Sequence, residues 1–381
     1  MSHKSSTSQN KGKKELVGVD AQVKQLEDEL AKTKYNKATQ FHIGLVKAKI
    51  AMIKEKAETR AKSRAPGEGY SVKKSGDATA VLVGFPSVGK STLLNRLTNA
   101  ESKTAAYDFT TLTCIPGMME YNNTKIQILD IPGIIRGASS GSGRGKEVIA
   151  VARGADVIIA MVNALELWQL DAIKKELHDA GIRINEKKPN MRIKTTSKGG
   201  VSIGSTVPLT VDKNVFVGIL REYKLINCDV VIHEDITIDR FIDALEGNKE
   251  YKPCVIALNK VDLLDEQSIK EIQKQVSVYG ECIPISADRN YNLDKLREVI
   301  FKKLEFIRIY MKELSKKPDM GDPVIIRKSS TVRDVCSKIH TDFIRRFRFC
   351  RVWGKSAKFP GQRFNLEHVM QDGDVLELHL K

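Results

Sequence analysis

Gly84-Phe85-Pro86-Ser87-Val88-Gly89-Lys90-Ser91 fits the pattern GxxxxGK[ST], whose chemistry is the cradling of a polyphosphate. Glycines let consecutive backbone N–H groups wrap phosphate oxygens at a helix N-terminus, where the dipole favours negative charge. At this spacing Lys90 is expected to reach the β- and γ-phosphates, and Ser91 to ligate Mg2+. Asp130-Ile131-Pro132-Gly133 ends a later apolar run, so that Asp130 can hold the Mg2+ shell and the Gly133 N–H can sense the γ-phosphate. Asn259-Lys260-Val261-Asp262 ends another. The Asp262 carboxylate can accept hydrogen bonds from guanine N1–H and from the exocyclic amine. Adenine has no such pair of donors and would leave the carboxylate unpaired. Ser286-Ala287 follows the next run and offers a backbone N–H to guanine O6. Each motif is short, but the four together, in this order, point to GTP or GDP bound with Mg2+.

Two further stretches bear on the reaction. Tyr107-Asp108-Phe109-Thr110-Thr111-Leu112 lies where a first switch belongs, and a threonine there completes Mg2+ coordination when the γ-phosphate is present. Thr111 is favoured over Thr110. Lys90, Thr111 and Gly133 are thus the residues expected to act at the γ-phosphate. After Gly133 comes Ile134, where many switch GTPases place a water-orienting glutamine. Isoleucine cannot align a nucleophilic water, so unaided hydrolysis should be slow, with K+ or a bound partner supplying the missing charge. Gly137, Gly141, Gly143 and Gly145 suit this second switch to an order–disorder transition.

These residues need strands to end where they stand. Ala80 to Val83, Ile126 to Leu129, Val157 to Val162, Val255 to Leu258 and Cys282 to Ile285 read as buried parallel strands, mostly followed by helices. That is the α/β doubly wound pattern, a P-loop GTPase sheet. It spans 77–165 and 230–305 and is interrupted by an inserted α/β subdomain at 166–229. The insert holds a helix from Trp168 to Ala180, with Trp168 packing the insert, and another from Asp212 to Tyr223. Ahead of the sheet, 1–14 is a polar, lysine-rich tail expected to be disordered. A helical hairpin at 15–65 follows, with Phe41, Leu45, Ala48 and Met52 in one stripe. A long helix is expected to end near Lys312. Residues 318–381 then read as a ubiquitin-like β-grasp module: a strand at Val324 to Arg327, a helix at Val332 to His340, and a final strand at Val375 to Leu380.

Composition narrows the class. With 381 residues, 41% hydrophobic and 29% charged, the chain reads as a globular protein of two to four units. No apolar run spans a bilayer and no signal peptide is visible. Six scattered cysteines without a CxxC pair suit reduced thiols in a cytoplasmic protein, and a monomer is expected. The net charge is +16, and residues 1–76 hold 17 Lys/Arg against 8 Asp/Glu. Such an arm is either a solvated tail or a seeker of polyanions, and with no tryptophan in it RNA is preferred over lipid. Arg345, Arg346, Arg348 and Arg351 alternate with Phe343, Phe347 and Phe349. The aromatics could pack a β-grasp core under solvated arginines, or the cluster could contact RNA phosphates. His42 and His340, on helix faces, read as packing residues.

The chain resembles the developmentally regulated GTP-binding proteins, a branch of the Obg-like translation-factor GTPases, from about Leu16 to Lys381. The resemblance rests on NKATQFHIGLVKAKIA (36–51), GFPSVGKSTLLNRLT (84–98), FTTLTCIPG (109–117), KEVIAVARGADVII (146–159) and VWGKSAKFPGQRF (352–364). Thr113-Cys114-Ile115 and Ser205-Thr206-Val207 look more like the second eukaryotic paralogue. The resemblance implies a helical hairpin, a GTPase domain, an insert like domain two of a ribosomal small-subunit protein, and a TGS domain. It also implies ribosome or rRNA association, Mg2+-dependent GTP hydrolysis and a zinc-finger-containing stabilising partner. Potassium activation goes with an asparagine in the phosphate loop among relatives, and that place here holds Ser87. Arg136 stands where the resemblance implies glutamate, and Asn163 where it implies aspartate.

The leading reading is a GTPase switch on ribosomes. A scaffold that senses GTP and binds RNA, with incidental hydrolysis, is the alternative. An ATPase is the third reading, against which Asp262 argues.

Overall fold

The computed structural model describes residues 19, 21–64, 75–98, 115–131 and 144–381. The tail at 1–14, the stretch with Phe109, Thr110 and Thr111, and the stretch with Pro132, Gly133, Ile134 and Arg136 lie outside the described residues. The chain forms two compact units, one from residues 1–69 and 187–249, the other from 70–186 and 250–381.

Helix α1 (21–32) turns back into α2 (Gln40–Arg64). The turn is closed reciprocally: Thr39 N donates to Asn36 Oδ1 at 2.9 Å and Asn36 N to Thr39 Oγ1 at 3.0 Å. Val23, Val46 and Ile50 form the apolar seam between the two helices. His42 reaches Glu29 across the same seam at 2.9 Å.

The second unit then begins with β1 (Ala78–Val83), α3 (Lys90–Leu97), β2 (Ile115–Tyr121), β3 (Thr124–Asp130), α4 (Arg144–Gly154), β4 (Val157–Asn163), α5 (Trp168–Asp179) and β5 (Ile182–Ile184). The first unit resumes with β6 (Met191–Thr195), β7 (Val201–Ser205), α6 (Lys213–Glu222), β8 (Cys228–Ile232) and α7 (Ile238–Glu246). The second returns with β9 (Glu250–Lys252), β10 (Cys254–Asn259), α8 (Glu266–Val276), β11 (Cys282–Pro284) and α9 (Leu293–Lys303). It closes with β12 (Phe306–Met311), β13 (Val324–Arg327), α10 (Val332–Ile339), α11 (Thr341–Arg346), β14 (Phe347–Trp353), β15 (Gln362–Phe364) and β16 (Asp374–Leu380).

The large sheet has the order β11-β10-β4-β1-β3-β2, parallel throughout except for β2 against β3. Its strands are apolar on both faces because both faces are covered. Val81, Ile158 and Ile256 meet Val151, Ile173 and Val276 on one side. Leu82, Ile159 and Val255 meet Leu93, Leu296 and Ile300 on the other. Chain direction brings the carboxyl ends of β1, β3, β4 and β10 to one edge, the place where open α/β sheets bind ligands.

The insertion has other limits than 166–229. Helix α5 belongs to the large sheet, because Leu170, Ile173 and Leu177 are buried in its core. Residues 187–249, including β8 and α7, cluster instead with the N-terminal helices. There the sheet β6-β8-β7 is covered on one face by α6 and α7 around Phe216 and Phe241, whose rings lie 4.5 Å apart. Asp212 is the N-cap of α6 and accepts from Asn214 N at 2.8 Å.

The last domain also starts earlier than residue 318. Helix α9 ends at Lys303, and Phe306–Met311 is a strand rather than the end of a helix. Alternation explains it: Phe306 packs towards the large sheet, while Ile307 and Ile309 enter the next core. The five strands run β13-β12-β16-β14-β15, with Val332, Val335 and Cys336 of α10 buried against Ile309, Val352 and Leu376. This helix-on-mixed-sheet arrangement is a β-grasp.

Candidate nucleotide site

Backbone geometry makes the phosphate loop what it is. Gly89 is the N-cap of α3 and sits at φ 97°, in the left-handed region that disfavours side chains. A Cβ there would also lie 2.6 Å from Asn259 Nδ2, and one on Gly84 would lie 2.6 Å from Met161 O of β4. The loop is therefore pressed against the ends of β4 and β10 and leaves its N–H side to a ligand. Phe85 anchors it on the flank, edge-on to Trp168 with ring centroids 5.0 Å apart. Trp168 thus packs the phosphate loop and not the insert, because α5 covers the large sheet.

Lys90 is buried, and its Nζ donates to Gly84 O at 3.1 Å and Phe85 O at 2.9 Å. Burial lowers its pKa below the ordinary lysine value, with Asp130 acting the other way. A desolvated ammonium held by two carbonyls is poised for a stronger anionic partner. Ser91 Oγ donates to Asp130 Oδ2 at 2.6 Å. Asp130 is buried, and its Oδ1 has no hydrogen-bond partner among the described residues. Leaving a buried carboxylate oxygen unpaired costs about 1–3 kcal/mol, more for a charged group. A hydroxyl beside an under-satisfied carboxylate is a donor set of hard oxygens, which fits Mg2+. Ser91 and Asp130 are the described residues that would hold it.

The base-reading loops are tied to the phosphate loop by one side chain. Asn259 is 2% exposed; its Nδ2 donates to Val88 O at 2.8 Å, and its Oδ1 accepts from Ala287 N at 3.0 Å. Asn259 thus ties the base-reading loops to the phosphate loop through Oδ1 and one Nδ2 hydrogen, and its second Nδ2 hydrogen is left for the nucleotide. Lys260 takes φ 64°, and Val261 N donates to Ile285 O at 3.3 Å. Together these turn Asp262 to the rim of the site. A Ser286 hydrogen bond holds the Asp262 carboxyl below the usual carboxylate range, and Arg289 assists from 3.5 Å. Arg289 belongs to no motif, and only its place three residues after Ser286 could have drawn attention to it.

Where the resemblance implies an aspartate, Asn163 holds the turn after β4. Its Oδ1 accepts from Leu165 N at 3.2 Å, and its backbone N–H donates to the Gln169 amide oxygen at 3.1 Å. An amide oxygen suffices for that turn. Ile131 is buried beneath the site, while Pro86, Ser87, Val88 and Ser286 lie within the loops already described.

Three family models cover this architecture. One described as "50S ribosome-binding GTPase" matches residues 79–196, one described as "C-terminal region of MMR_HSR1 domain" matches 198–306, and "TGS domain" matches 307–380. An uncharacterized GTP-binding protein of Methanocaldococcus jannaschii is 51% identical over 96% of this chain and 94% of its own. Developmentally-regulated GTP-binding protein 2 of Homo sapiens is 43% identical over 95% and 99%. The Developmentally-regulated GTP-binding protein 1 homolog of Dictyostelium discoideum is 42% identical over 93% and 98%, so the two paralogues stand almost level. Among solved structures, Era of Aquifex aeolicus aligns over 72% of this chain and 71% of its own at 21% identity and a TM-score of 0.34, too low to add to the assignment. With the nucleotide loops in place and relatives this similar over nearly the whole length, the chain belongs to the developmentally regulated GTP-binding protein family, a GTPase with a carboxy-terminal TGS domain.

Proposed function

We propose that the chain is a Mg2+-dependent GTPase switch that works on ribosomes in cytoplasmic translation and is slow until stimulated from outside. The observation that carries the Mg2+ and hydrolysis part is Asp130, with one oxygen on Ser91 and the other buried without a partner among the described residues. GTP entering the loop exchanges the Gly84 and Phe85 carbonyls for phosphate oxygens at Lys90 Nζ, so the ammonium gains a charged partner where it had neutral ones. Asp262, already ionised, receives the guanine donors. Bound Mg2+ supplies neutralisation of phosphate charge at Ser91 and Asp130. The ribosomal part rests on the +16 charge and on the description of the family model, and a zinc-finger-containing protein is the proposed stabilising partner.

The test is GTP hydrolysis by the purified chain with and without ribosomes, in potassium and in sodium. Stimulation of 10-fold or more by ribosomes supports the switch. A flat rate under every condition, with ribosome binding retained by Lys90→Ala, would replace it by a GTP-sensing scaffold. Stimulation by potassium alone would place the missing charge in a cation despite Ser87.

A further inference from the structure

The charges of the TGS domain are divided unequally. Elsewhere in the domain Arg308 pairs with Asp372, Lys316 with Glu313 and Arg333 with Glu367, while Glu377, opposite Arg351 on the neighbouring strand, is buried and taken by Lys312 and His379. From Phe343 to Leu366, seven basic residues occur with no acidic one. Among the described residues, no carboxylate pairs with Arg345, Arg348, Arg351 or Arg363. Arg345, Arg348 and Arg363 are exposed and Arg351 is half-buried.

The aromatics of the same stretch are divided too. Phe343 and Phe347 pack against the core. Phe349 belongs to the opposite face, since Cys350 and Val352 point inward and the register shifts between Phe347 and Phe349. Strand order sets β14 between β16 and β15, and the Phe349 ring is layered accordingly. It stacks on His379 at 4.2 Å and 16° between planes, and Arg363 lies over it at 4.4 Å. Arg351 is the cross-strand partner of Arg363. The column His379–Phe349–Arg363 ends in an exposed planar cation. Farther along the same strand, Trp353 carries Lys312 over its ring at 4.7 Å.

We propose that this open face of the TGS sheet binds single-stranded RNA, with a base stacked on Arg363 at the end of the column and phosphates held by Arg351 and Arg348. Unpaired cations alone would fit any polyanion. A planar stack ending in guanidinium selects unpaired bases, because every base has a face to offer and a duplex hides it. The inference deepens the ribosomal reading above and rests on it for its biological setting.

The test uses the full chain and a fluorescein-labelled 20-nucleotide oligouridylate, with affinity measured by anisotropy across a salt series. Arg351→Glu with Arg363→Glu should weaken binding about 10-fold or more and lower the salt slope by roughly 0.7, for the one phosphate contact at Arg351. Arg333→Glu with Lys316→Glu makes the same charge change on paired residues and should stay within twofold of the parent. Arg363→Lys keeps charge and loses the plane; it should lose affinity severalfold with the slope unchanged. Circular dichroism melting of each variant confirms folding. The proposal is overturned if the Arg351/Arg363 variant binds like the control variant, as it would were an acidic protein the true occupant, or if duplex RNA of equal length binds as tightly. Co-sedimentation with ribosomes separates the two claims. A parent chain that does not sediment sinks the ribosomal reading and leaves the oligouridylate result standing.

Discussion

Ser286 and Arg289 both favour the ionised Asp262 carboxylate that guanine needs. Asp262→Asn sets an amide N–H against the guanine amine and welcomes a carbonyl in its place. GTP affinity is expected to fall about 100-fold or more, and XTP to become the better competitor for labelled GDP. An unchanged order of preference would remove Asp262 from base recognition. Lys90 gives a prediction in pH. Burial lowers its pKa in the free protein, so the folded state disfavours the charged form, and that cost is relieved as pH rises through the lowered value. Phosphate binding demands the ammonium. GDP affinity should therefore be level near neutrality and fall as pH climbs through the free-protein pKa, below the ordinary 10.5, with proton uptake on binding there. Calorimetry in two alkaline buffers of different ionisation heat detects that uptake, and its absence would mean that Lys90 is charged throughout.

Helices α2 and α6 approach through glycine. A Cβ on Gly44 would lie 2.6 Å from Val215 Cγ1, and one on Gly218 would lie 2.8 Å from Phe41 Cε2. Gly44→Val should cost about 1–3 kcal/mol by overpacking, seen as a lower melting transition with GDP affinity within twofold of the parent. A transition unmoved would mean that α2 is not seated on α6 in solution. Such contacts show how far the sequence could be read. The strands β1, β3, β4, β10 and β11 were legible because burial on both faces writes unbroken apolar runs, and the nucleotide loops because their glycines and carboxylates stand at the ends of those runs. The limits of the insertion were not legible. The stripe Leu170, Ile173 and Leu177 makes α5 amphipathic whichever core it covers, and only the fold shows that the core is the large sheet. β12 was hidden for another reason: it follows α9 after two residues with no glycine or proline between, so nothing local marks the change of period. Trp168 and Arg289 were missed as site residues because their partners, Phe85 and Asp262, are 83 and 27 positions away.

At the scale of the second unit, the TGS domain is attached to the large sheet away from the nucleotide edge, and mostly by polar contacts. Arg327 pairs with Asp156 at 2.5 Å, Lys338 with Asp77 at 2.8 Å, and Asn123 Nδ2 donates to Gly321 O at 2.9 Å. Asp156 and Asp77 also accept the Thr79 and Lys125 N–H groups, so the same carboxylates brace the start of the sheet. Exposed pairs contribute at most about 1 kcal/mol each. Arg327→Glu with Lys338→Glu should raise deuterium uptake around 319–323, and 0.5 M salt should do the same to the parent chain. Uptake indifferent to both would mean that the covalent passage from α9 into β12 alone holds the domain. The two tryptophans of the chain fall on opposite sides of this division, Trp168 against the phosphate loop and Trp353 on the open TGS face. Intrinsic fluorescence can therefore be resolved by origin. In Trp353→Phe the emission comes from the indole beside Phe85 alone and follows nucleotide exchange in real time without a labelled nucleotide. In Trp168→Phe the remaining emission watches the other face in the same cuvette.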